Sequence, residues 1–148
     1  MRPGLENCEE IFFDKQTDLQ TIIYTEMDNE AEWDVGKIRE LNKAFFKTVS
    51  RKNILYALYV REKGKKEWSI KYVGHSVAAH SRKRLNNHLV KKSDKTGSQL
   101  GNVKKNIYQG NSIGIIFIEI DPPELRHYFE EKIIYRHGNE LVWNRNGK

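Results

Sequence analysis

The sequence predicts an α+β domain: a small, mainly antiparallel three-stranded sheet flanked by helices, behind an N-terminal extension. Three observations lead there. The hydrophobic period changes from helical to β-like near residue 54. Two apolar runs are then joined by a charged tip that holds a glycine. The segments after that alternate between helical and extended patterns. A length of 148 residues suits one domain with a core that needs no staples.

Residues 1–53 form the extension. Leu19–Tyr24 fits a strand or a short helix. Asp34–Val49 places Ile38, Leu41, Phe45 and Val49 at helical spacing, with Asp34 as N-cap. The body, 54–148, opens with the apolar, β-prone run Ile54–Val60. On that strand Tyr56 and Leu58 face one way, and Ala57 and Tyr59 the other. Arg61–Glu67 is the hairpin tip, and Trp68–Gly74 is the returning strand, with Gly74 freeing the backbone to turn. Ser81–Lys92 reads as a helix capped by Ser81, Ser93–Ser98 as a loop, and Gln99–Tyr108 as a helix burying Leu100, Val103 and Ile107. Ser112–Ile120 is a central strand. Asp121–Gly138 has proline and acid early and glycine at its end, the marks of a helix.

Charge narrows the function. The net charge is +6 and the pI about 9.3. The first 53 residues are net acidic and the remainder is strongly basic, which points the body toward a polyanion. No run approaches the ~20 apolar residues of a membrane span. The start lacks an apolar stretch behind a basic flank, so no secretory signal is expected. A lone Cys8 offers neither a disulfide nor a cysteine metal cluster, and a reducing cytoplasm is the expected setting.

The body spreads a particular set of polar residues over its elements. Tyr56 and Tyr72 lie on paired strands, Arg84 and His88 lie four apart on one helix face, Glu130 or Glu131 lies on the last long helix, and Asn144 lies near the end. One carboxylate, two tyrosines, arginine and histidine do not make a hydrolase triad. They suit a phosphodiester: a carboxylate can hold one Mg²⁺, arginine can stabilise charge on the phosphate, and a phenol beside a cation can take a proton from water.

The order "ILY … KYVG … RLNNH … FEEKII … WN" resembles the GIY-YIG nuclease family over about residues 54–144. Ile54-Leu55-Tyr56 stands for the family's first tyrosine motif and Tyr72-Val73-Gly74 for its second. Arg84–His88 looks like its R-apolar-x-x-H helix, Glu130–Ile134 like its glutamate segment, and Trp143-Asn144 like its terminal asparagine. The resemblance implies that the two tyrosine motifs form a hairpin. It also implies a Mg²⁺-dependent DNA endonuclease leaving 5′-phosphate and 3′-hydroxyl ends, with one Mg²⁺ per site held by Glu130. Tyr56 is the first choice of base, helped by Tyr72 and Lys71. Arg84 and His75 steady the phosphate, supported by His88 and Asn144. His75, directly after "YVG", is similar to what certain Type II restriction enzymes carry. A site-specific enzyme cutting both strands as a homodimer is therefore the leading expectation, with a separate DNA methyltransferase as companion. A repair, recombination or mobile-element nuclease and a non-cutting DNA-binding descendant are the alternatives. Such restriction enzymes add segments around the small core for DNA grip and dimer contact, a role the resemblance implies for the helical extension 1–53 and for Lys91–Asn106; Lys91, Lys92, Lys95, Lys104, Lys105 and Asn106 are expected phosphate contacts. Read blandly, the tyrosines are strand aromatics and the charges a solvated surface.

Overall fold

The computed structural model describes residues 4–92 and 98–146, leaving aside the side chains of 145 and 146. The fold is α+β, but the sheet has four strands rather than three. They are β1 (Gln20–Thr21), β2 (Ile54–Arg61), β3 (Ser69–Ser76) and β4 (Ser112–Glu119), in the order β1-β4-β2-β3, antiparallel throughout. The added strand comes from residues 1–53. Two exposed polar residues carry no hydrophobic period, so only their pairing with Ile115 and Gly114 reveals them.

Strand β2 is central and buried on both faces. Tyr56 and Leu58 enter one core and Leu55, Ala57 and Tyr59 the other, as the alternation requires. The hairpin to β3 turns through Gly64 at φ +83°, a left-handed conformation that favours glycine. Strand β3 runs through Gly74 to Ser76, so Gly74 lies within the ladder opposite Tyr56 and makes no turn. The turn comes later, in a 3₁₀ segment at Ala78–His80.

Helices cover both faces. On the Tyr56 face lie α2 (Val35–Leu41), α3 (Lys43–Val49), α4 (Ser81–Leu89) and α5 (Leu100–Tyr108). On the other lie α1 (Leu5–Glu9), which continues as a π-helical Glu10–Lys15, and α6 (Leu125–His137). A short α7 (Val142–Asn146) packs along β3.

Three local expectations need correction. The helix expected over 34–49 is two helices, because Asn42 turns its amide back on the chain. It accepts from the Ile23 N–H and donates to the carbonyls of Ile23 and Ile38, each at 2.8 Å. The break leaves Leu41 exposed while Ile38, Phe45 and Val49 are buried. Asp34 does cap α2, accepting from the Lys37 N–H at 3.0 Å. Ser81 does not cap α4. It is the first helical residue, fully buried, and its hydroxyl donates to the Val49 carbonyl at 2.9 Å.

Residues 1–53 contribute to both cores. Cys8 and Phe12 join one; Ile22, Met27, Ile38, Phe45, Phe46 and Val49 join the other. Burial pushes the Cys8 thiol up to about 11, which leaves it unreactive. Among the described residues no helix is long and apolar enough to cross a membrane.

Candidate active site

Edge strand β3 lies between α4 on one face of the sheet and α6 on the other, and the polar residues gather around it. Helix α4 carries Arg84 and His88 on one face, where they meet Tyr56. The Tyr56 Oη lies 2.7 Å from His88 Nε2, and both residues are buried. His88 Nδ1 accepts from the Gln99 N–H at 3.0 Å. That bond fixes the tautomer of a neutral ring: Nε2 holds the hydrogen and donates it to Tyr56. Burial, and then Arg84, push His88 down to about 3, so it is neutral at pH 7. Tyr72 completes the cluster, its ring centroid 5.3 Å from that of His88 and 6.2 Å from that of Tyr56.

Gly74 makes this arrangement possible. A Cβ built there would lie 2.6 Å from Tyr56 Oη and 2.7 Å from its Cζ, closer than real Cβ atoms approach. The phenol occupies the space a side chain at 74 would need.

Burial raises the Tyr56 phenol well above its ordinary range; Tyr72 adds to this, while Arg84, within hydrogen-bonding reach, opposes it. Tyr72 is raised by burial and by Glu130. Both phenols are therefore neutral in the free protein, and only added positive charge can draw out a phenolate.

On the opposite face α6 presents Glu130. Its Oε1 lies 3.7 Å from His75 Nε2. Burial, opposed by His127 and Arg84, leaves Glu130 at about 7, while burial and Arg126 leave His75 at about 4. His75 is thus uncharged at neutral pH, and the contact is dipolar rather than an ion pair. Glu131 points to solvent and pairs with His127 at 3.0 Å, so Glu130 is the inward carboxylate, as the burial of Ile133 requires.

Every buried side-chain nitrogen or oxygen without a hydrogen-bond partner, among the described residues, belongs to this neighbourhood: His75 Nδ1, Arg84 Nε and Arg126 Nε. Both guanidiniums act electrostatically on His75. Arg126 was not a sequence candidate. Its signal was present, because it precedes Glu130 by four residues and so shares its helix face. His127, also given no role, lies beside His75, its ring tilted by 31° with centroids 5.2 Å apart.

Other candidates sit elsewhere or are occupied. The Asn144 amide clips the backbone of Val73, accepting from its N–H and donating to its carbonyl, both at 2.9 Å. It thereby positions β3 beside Tyr72 and does not face the cluster. Lys71 lies at the bulge where Leu58 pairs with Tyr72 and Tyr59 with Ile70, and its side chain makes no hydrogen bond or ion pair among the described residues. Lys104 gives its charge to both Glu30 oxygens at 2.9 Å and lies 5.1 Å from the Trp33 ring centre. The Asn106 amide is bonded to Asn102 and Asn111. Lys91, Lys92 and Lys105 are exposed on the surface, and Lys95 lies outside the described residues.

Among the described residues, no group of three or more His, Cys, Asp or Glu forms a metal cage. Glu130 alone has the character of a ligand: a desolvated carboxylate facing a neutral histidine, with no lysine or arginine within ion-pair distance among the described residues. A single carboxylate suits Mg²⁺, which keeps most of its waters. No family model, curated protein or solved structure matches the chain.

Proposed function

We propose that the chain is a Mg²⁺-dependent endonuclease that hydrolyses phosphodiester bonds in DNA. The observation that carries the reading is the set of partnerless buried nitrogens, His75 Nδ1, Arg84 Nε and Arg126 Nε, beside the His75–Glu130 contact: Arg84 acts on both residues and Arg126 on His75, with Arg126 Nη1 held by the Pro123 carbonyl at 2.7 Å. Buried donors need acceptors, and a phosphate supplies several. The hairpin pairing of the Tyr56 and Tyr72 motifs, expected from the GIY-YIG resemblance, supports the same conclusion.

In this reading Arg84 and Arg126 hold the scissile phosphate and stabilise the charge that builds on it. His75, neutral, orients a phosphate oxygen. Glu130 would hold the Mg²⁺, which supplies Lewis acidity at the phosphate and leaving oxygen. Tyr56 is the base. Its phenol would release its proton to solvent when the surrounding cations outweigh burial, and His88 Nε2–H would donate to the resulting phenolate. The phenolate then takes a proton from the attacking water. Tyr72 packs against this pair, and Asn144 keeps β3 in register. The products are a 5′-phosphate and a 3′-hydroxyl.

Within that class, site-specific double-strand cutting by a symmetric dimer of the Type II restriction kind is preferred, on His75 after "YVG". Digestion of a sequenced plasmid with Mg²⁺ tests the assignment. Discrete limit fragments are expected. Random or structure-dependent nicks would favour a repair or mobile-element nuclease. Binding without cutting would favour a non-catalytic descendant. Glu130→Ala should abolish cleavage, and undiminished cutting by that variant would remove Glu130 from the metal site.

A further inference from the structure

On the side of α4 turned away from Arg84 and His88 lies an open groove of about 730 Å³. Five cations line it: Arg39 from α2, Lys43 and Lys47 from α3, and Arg82 and Lys83 from α4. Buried Phe46 also lines it, and no carboxylate does. Arg39 is oriented by its Nε bond to Asn86 Oδ1 at 3.1 Å, which also ties α2 to α4. Lys43 has Glu40 at 3.5 Å, both largely exposed, a pairing that neutralises little. Lys47 and Arg82 have no carboxylate within ion-pair distance among the described residues. Like charges crowded along one groove repel one another unless an anion lies between them. The contrast with α5 is direct, because Lys104 there is already neutralised by Glu30.

We infer that this groove binds the phosphate backbone of duplex DNA, and that residues 35–49 supply three of its five cations. Helix α4 separates the groove from the candidate active site. A helix is ~10–12 Å across, so a duplex whose scissile phosphate meets Arg84 reaches the groove with phosphates a few nucleotides away. The inference rests on the nucleic-acid part of the proposed function and not on its chemistry.

Binding of a fluorescent DNA duplex, followed by anisotropy in EDTA across a salt series, tests it without cleavage. The variant Lys43→Ser/Lys47→Ser/Arg82→Ser should lower the slope of log K against log salt by about 2 to 3 and weaken binding at least tenfold at 100 mM salt. A charge-matched control at the hairpin tip, Lys63→Ser/Lys65→Ser/Lys66→Ser, should move the slope by less than about 1. Equal losses in the two variants, or no loss in the first, overturn the groove. So does binding to phosphatidylserine vesicles that matches or exceeds binding to duplex. Circular dichroism and the melting temperature establish that each variant is folded. A parallel Mg²⁺ plasmid assay separates the two readings. Cleavage that is indifferent to the groove variant sinks the groove alone. Groove-dependent binding by a protein that never cuts sinks the nuclease alone.

Discussion

A methyl group on Gly74 would collide with the one phenol that the proposed chemistry depends on. Tyr56 is wedged between β3 and His88 and cannot give way, so Gly74→Ala should destabilise the fold by about 1–3 kcal/mol. It should also displace the phenol and lower nicking by on the order of 10²-fold. A urea midpoint and a plasmid assay check both, and wild-type values in either would show that the ring has room to move. His88 makes the second prediction. It is held near 3 in the fold against an ordinary value of 6.5. As pH falls below 6.5 the unfolded chain takes up a proton that the folded chain refuses, so stability present above 6.5 is lost progressively toward 3. Between pH 6.5 and 4 this amounts to roughly 3 kcal/mol. His75, held at about 4, acts in the same direction. Glu130 acts the other way. Raised to about 7 from 4.5, it weakens the fold as pH climbs through that interval. His88→Gln keeps a donor and an acceptor but does not titrate, so its stability should fall less steeply in acid than the wild type's. Urea titrations at pH 4, 5 and 6.5 measure this, and identical acid limbs would contradict it.

At the scale of elements, two asparagines do the same work in different places. Asn42 and Asn144 each bond both the N–H and the carbonyl of one distant residue, Ile23 and Val73, as a neighbouring strand would. Asn42 docks the chain after β1 against α2 and α3; Asn144 docks α7 against the free edge of β3. Asn144→Ala leaves that edge without its clip and should lower stability by about 1–2 kcal/mol. It should reduce cleavage through Tyr72 and His75 while leaving duplex affinity in EDTA unchanged. Equal loss of affinity would give Asn144 a direct DNA contact instead. These clips also mark the limit of what the sequence can say. Strands β2, β3 and β4 and helices α5 and α6 announce themselves through apolar composition and period, which burial imposes; the end signals mislead at α6, which starts at Leu125, past Pro122 and Pro123, with no acid in its first turn. The break at Asn42 and the pairing of Gln20 and Thr21 arise from tertiary bonds to residues far along the chain, which leave no local pattern. Arg126 lay between. Its spacing from Glu130 was legible, but only its buried, partnerless Nε distinguishes it from a solvated helix arginine.

Across the whole molecule, charge and core divide the chain differently. By charge, residues 1–53 are an acidic leader on a basic body. By packing they are part of the body: Phe46 and Val49 share a core with Tyr56, Leu85 and Val103, and Cys8 and Phe12 share the other with Tyr59 and Phe129. Their net acidity also conceals the local cations Arg39, Lys43 and Lys47, which face the groove beside α4. A fragment holding only residues 54–148 would expose the faces of β2, β4 and α4 that Ile38, Phe45, Phe46 and Val49 now cover. Burying one such large apolar side chain contributes ~1.5–3 kcal/mol, so losing these four, about 6–12 kcal/mol, removes most of the roughly 5–15 kcal/mol margin of an ordinary domain. The fragment should therefore show no cooperative thermal transition and no dispersed amide spectrum, whereas the full chain should show both. The GIY-YIG resemblance begins at residue 54 and by itself implies the opposite, a core that stands alone. A fragment that melts cooperatively and still nicks DNA would show that the first 53 residues are a separable grip on an independent nuclease. An unfolded fragment would show that this chain has built its extension into the catalytic scaffold, so that β1, α2 and α3 help to hold Tyr56 in place.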